Sequence, residues 1–118
     1  MAALVEKVVR LTSFVDEDAE LGVHCCYGDS GRKHFLEPPD TGMIATFLLR
    51  VTQKLNRPLN RVHFPMPKDR YDTAYFLPLK PLLEKLDART EVFVGLVHSG
   101  DIEGTKRRIE TTEEMFAG

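Results

Sequence analysis

The sequence predicts an α/β protein built on a parallel sheet, and three observations predict it. Segments of helical periodicity alternate with short strand-like runs along the whole chain. The last of those runs, residues 90–98, is apolar on both faces, as strands covered by helices on two sides are. Polar and reactive side chains follow each run closely, where parallel strands gather ligand sites at their carboxyl ends.

The elements follow in order. Val5, Val8, Val9 and Val15, with Leu11 beside them, predict a first helix ending near the acidic Asp16-Glu17-Asp18. Residues 21–27 form a strand candidate, closed by the turn signal Gly28-Asp29-Ser30-Gly31. Asp40 or Thr41 caps a second helix, in which Met43, Ile44, Phe47, Leu48, Val51 and Leu55 share a face. Residues 61–66 give a second strand, closed off by Pro65 and Pro67. Leu79, Leu82, Leu83 and Leu86 recur at helical spacing, with Pro81 tolerable only in the first turn. After the third strand, residues 101–116 make a more polar helix with a weak apolar stripe, and Lys106, Arg107 and Arg108 read as its exposed face.

This order predicts right-handed crossovers within one domain, residues 1–118. Two architectures fit: a partial (β/α)8 barrel of about three βα units, since a full barrel needs about 250 residues, or a small open three-layer α/β sandwich.

Composition narrows the function classes. The chain has 42% hydrophobic and 29% charged residues, the balance of a globular protein rather than a disordered one. A net charge of -2 offers no general basic field for nucleic acid. Apolar runs fall short of the roughly 20 residues of a membrane span. The amino terminus carries Glu6 and Lys7 and lacks a signal-peptide layout. Cys25 and Cys26, the two cysteines, are adjacent, which argues against a disulfide scaffold and for a reducing, cytoplasmic setting.

Candidate site residues sit at the three strand ends. The first contributes His24, Cys26, Tyr27 and Asp29; the second His63, Lys68, Asp69 and Arg70; the third His98, Ser99 and Asp101. His24 and Cys26, two apart on a strand, project from one face while Cys25 points to the other. Imidazole and thiolate are both zinc ligands, although a buried thiol beside a hydrogen-bonded histidine gives the same spacing. His63, Arg70 and His98 suit an anionic small ligand, with solvated-loop and rim-histidine roles as the alternative. No Walker loop, dinucleotide fingerprint or paired-cysteine zinc motif is present.

Gly22-Val23-His24-Cys25-Cys26-Tyr27-Gly28-Asp29 resembles the His-x-Cys-Tyr strand in the catalytic barrel of cobalamin-independent methionine synthases. His63-Phe64-Pro65-Met66-Pro67-Lys68-Asp69-Arg70 and Gly95-Leu96-Val97-His98 resemble an uncharacterised branch of that superfamily, which also includes uroporphyrinogen decarboxylase. The resemblance spans residues 20–109 and corresponds to the later part of the barrel.

In the synthases, zinc held by His, Cys, Glu and a second Cys binds homocysteine as thiolate, which takes a methyl group from a folate donor. The resemblance implies His24 and Cys26 as the first two zinc ligands. The family's glutamate would fall at Phe64-Pro65, so Asp69 would have to supply the carboxylate, and the second cysteine belongs beyond Gly118. The resemblance therefore implies a methionine synthase-like methyltransferase or an inactive remnant of one. The alternatives are a non-enzymatic binding or interaction protein and a uroporphyrinogen decarboxylase-like one. Cutting a barrel short leaves strand edges, which predicts self-association or a companion chain.

Overall fold

The computed structural model describes residues 1–27 and 38–116, and the predicted Gly28–Gly31 turn with the candidate Asp29 lies outside them. Among the described residues four α-helices and three strands alternate: α1 (Ala2–Thr12), β1 (Gly22–His24), α2 (Gly42–Lys54), β2 (Arg61–Pro65), α3 (Lys80–Lys85), β3 (Glu91–Gly95) and α4 (Ile102–Phe116). Two 3-10 turns, Thr73–Tyr75 and Leu77–Leu79, lead into α3. Among the described residues no helix is long and apolar enough to cross a membrane.

The strands form a parallel sheet in the order β1-β2-β3. His24 lies opposite His63, and His63 lies opposite Phe93. Consecutive order with right-handed crossovers places the connecting helices on the same face. That face carries Val62 and Phe64, both buried, with Val23, Cys25, Val92 and Val94 packed at the margins. Onto it α2 lays Ile44, Ala45 and Leu48, and with buried Val51 they make an i, i+1, i+4, i+7 stripe along the helix. Ile44, Leu48 and Val51 each contribute about 1.5–3 kcal/mol on full burial. The 3-10 turns and α3 add Tyr75, Phe76, Leu79 and Leu82. Asp40 starts α2 by accepting the Gly42 N–H at 2.8 Å, and Lys54 in the last turn complements the helix dipole. The Thr41 hydroxyl instead donates to the Tyr75 carbonyl at 2.8 Å, tying the helix start to the turn before α3.

Several expectations need correction. β3 is not covered on both faces: Phe93 is 44% exposed, and the face it shares with His24, Arg61 and Glu91 is open. Alternation therefore governs burial along β3, as in a sheet with one covered side. β1 is shorter than residues 21–27: it spans Gly22–His24, and the Cys25 N–H makes one further bond to the His63 carbonyl at 2.8 Å before the chain leaves the sheet. β3 likewise stops at Gly95, which puts His98 in the loop beyond it. α1 ends at Thr12, where the Thr12 and Ser13 hydroxyls turn back onto the Val9 and Arg10 carbonyls and compete with further helical bonding.

The clearest departure is Arg108. Sequence reading places it on an exposed face with Lys106 and Arg107; those two are exposed, but Arg108 is 0% exposed. Its guanidinium donates to the carbonyls of Leu96 at 2.8 Å and Lys68 at 2.5 Å. It also reaches Asp101 Oδ2 at 3.0 Å and Thr105 Oγ1 at 3.1 Å. A planar fork of donors suits this pattern of several acceptors around one cation. The result is a clamp that holds the loops after β2 and β3 against α4.

Candidate functional site at the carboxyl edge of the sheet

The residues after the three strands meet along one edge of the sheet. On the open face, His24 and His63 stand side by side because their strands pair in register. Their Nδ1 atoms are 2.7 Å apart, with ring centroids at 4.8 Å and planes inclined by 22°. At that separation one Nδ1 carries the proton and the other accepts it. Burial, and then the neighbouring His24, hold the His63 pKa below the ordinary histidine value. Gly95 lies beside the His63 ring: a Cβ there would meet Nε2 at 3.6 Å, an ordinary van der Waals contact.

Cys26, two residues beyond His24, is exposed, while Cys25 is half-buried and packs against the core as its alternation predicts. Burial, and then the adjacent Cys26, push the Cys25 thiol up to about 11, so it stays protonated at neutral pH.

Tyr27 closes the edge on the covered side. Tyr75 donates its O–H to the Pro65 carbonyl at 2.8 Å, so the 2.5 Å contact between the two phenol oxygens is a donation from Tyr27 to Tyr75. Burial raises the Tyr75 pKa, and this relay keeps the phenol neutral. The sequence offered no sign of Tyr75 beyond its place in an aromatic pair.

The remaining candidates hold the edge together. Arg70 makes a two-pronged pair with Asp72, at 2.8 and 2.9 Å, and also donates to the Pro39 carbonyl. Its guanidinium lies 5.2 Å from the Tyr75 ring centre. The hydrogen bond from Arg70 holds the Asp72 carboxyl below the usual range. His98 Nε2 lies 2.7 Å from the Met66 carbonyl and donates to it, joining the β3 loop to the end of β2. Asp101 accepts from the Gly104 N–H at 3.2 Å at the start of α4 and pairs with Arg108. Lys68 is exposed and reaches the Ser99 carbonyl at 3.3 Å, while Asp69 is exposed beside it. The structure thus brings His24 and His63 together, and gives Arg70, His98 and Asp101 structural partners.

Among the described residues no three His, Cys, Asp or Glu side chains form a group able to hold a metal. Among the described residues His24 is hydrogen-bonded to His63, and neither Asp69 nor Cys26 forms a three-ligand group with it. A separate cleft of about 300 Å³, lined by Val9, Val15, Lys54 and Arg57 among others, lies between the carboxyl ends of α1 and α2. Because α2 leads into the start of β2, that cleft belongs to the opposite end of the sheet. Comparison with family models, curated proteins and solved structures finds no match for the chain.

Proposed function

We propose that this chain is a methionine synthase-like α/β unit that binds a small anionic molecule at the carboxyl edge of its sheet, without carrying thiol methylation itself. The observation behind this reading is the in-register His24–His63 pair on the open face, beside exposed Cys26. In a hydrogen-bonded pair of neutral imidazoles the accepting ring carries its own proton on Nε2 and can donate it to an anion, and exposed His24 opens the pair to solvent. Lys68, on the adjoining loop, adds a cation. The Arg108 clamp and the Arg70–Asp72 pair support the reading by fixing the loops in advance, which lowers the entropy lost on binding. With Arg70 and Arg108 already engaged, a uroporphyrinogen decarboxylase-like role has the least support.

Amide chemical-shift mapping with inorganic phosphate and with homocysteine tests the reading. The expected footprint covers residues 24–26, 63 and 68. A footprint at Lys54 and Arg57, in the opposite cleft, would contradict it. So would methionine formed above background from homocysteine and a folate methyl donor.

The open sheet face favours a second reading. Strands in consecutive order with helices on one side are how successive barrel units are arranged, and such units are completed by further strands. In that reading a companion chain or a second copy extends β1 or β3. A clean monomer by light scattering with a cooperative melt would rule out self-association.

A further inference from the structure

We infer that His24 and His63 form a two-histidine clamp for a divalent transition metal of the Ni2+ or Cu2+ type, with water completing the coordination. The inference takes its location from the functional reading above but not its ligand. Both imidazoles stand on the same face of adjacent strands, held in register by backbone pairing, and present Nδ1 atoms 2.7 Å apart. Two nitrogens bound at 2.0–2.1 Å lie about 2.9 Å apart at a right angle and about 3.3 Å apart at the tetrahedral angle. The existing gap is thus within about 0.2 Å of the right-angle arrangement, which square-planar and octahedral ions adopt, and further from the tetrahedral one zinc prefers.

Binding needs no other rearrangement of charge. The proton now between the rings moves to Nε2 of the ring that carries it, leaving two neutral imidazoles with both Nδ1 lone pairs on the metal. Gly95 leaves the His63 ring space to open by this amount. His24 is exposed, so water reaches the remaining positions. The clamp differs from a His24–Cys26 site, since it uses the facing strand rather than the next residue but one.

Calorimetric titration of the purified chain with Ni2+, with thiols kept reduced, tests the proposal. One equivalent is expected to bind. His24→Ala and His63→Ala should each weaken it on the order of 100-fold, the loss that follows when a second linked ligand is removed. Cys26→Ser should bind like the unmodified chain. Loss of binding in Cys26→Ser to the same degree as in His24→Ala would overturn the clamp, as would binding unchanged in His24→Ala or absent from the unmodified chain. His24 is exposed, so that variant is expected to fold, and its melting curve checks this. Ni2+ binding without a phosphate or homocysteine footprint would retain the clamp and remove the functional reading; the reverse result would do the opposite.

Discussion

Replacing Arg108 by methionine keeps most of the side chain's apolar volume but removes every donor at the centre of the clamp. The carbonyls of Leu96 and Lys68 then lose their bonds at 2.8 and 2.5 Å in a site where Arg108 is fully buried. Hydrogen bonds to a charged group contribute about 1.5–3 kcal/mol each, so these two alone give about 3–6 kcal/mol. Removing one member of a buried charged network costs about 3–5 kcal/mol in total, which lies within that range. A domain of this size has only about 5–15 kcal/mol of stability to lose. At about 1.5 kcal/mol per molar, the urea midpoint should fall by about 2–3 M. Arg108→Lys keeps the charge but not the planar fork and should fall in between. Lys106→Ala, on the exposed side of the same helix, should stay within about 0.5 kcal/mol. An Arg108→Met midpoint as close to the unmodified chain as that of Lys106→Ala would contradict a stabilising role for the Arg108 clamp.

Three other outcomes are expected. Gly104→Ala, which gains about 1 kcal/mol of helix propensity in an ordinary helix, should destabilise this one in urea titration, because a Cβ there meets the Asp101 carboxylate that caps α4 and pairs with Arg108; a stabilised variant would contradict the packing. At pH 8 iodoacetamide should modify exposed Cys26 well before Cys25, whose thiol at about 11 leaves about one thiolate in a thousand, and equal rates by mass spectrometry would contradict the burial of Cys25. Hydrogen bonds from Arg70 and Arg89 lower the carboxyls of Asp72 and Asp87, the latter to about 2, so their contribution is full above the unfolded carboxylate values near about 4 and fades as pH falls through the folded ones. The urea midpoint should therefore decline between about pH 4 and pH 2, and a midpoint rising over that window would contradict the sign.

The helical stripe of α2 was legible because Ile44, Leu48 and Val51 follow a 3.6 period and are all buried. β2 was legible from alternation, with Val62 and Phe64 buried and His63 turned the other way. The same local pattern misled at β3, where valines flank Phe93: an apolar side chain is written identically whether or not a layer covers it. The candidate site divided in the same way. Strand spacing put His24 with Cys26 on one face of their strand and His63 on the face opposite Val62 and Phe64, but only the register of β1 against β2 brought His24 and His63 together. Arg108 was misread because a guanidinium scores as surface unless its acceptors are known. Gly104 one turn earlier and Asp101 at the helix start were the available signals of a close, polar contact.

The pairing of His24 with His63 underlies both the binding edge and the metal clamp, and nitrogen-15 NMR of histidine-labelled protein tests it directly. Assignment comes from His24→Gln and His63→Gln. Opposite tautomers are expected for the two rings, one protonated at Nδ1 and the other at Nε2, with a nitrogen–nitrogen coupling across the hydrogen bond. Two rings both protonated at Nε2, without that coupling, would contradict it and remove the geometric basis of the binding edge and of the metal clamp together.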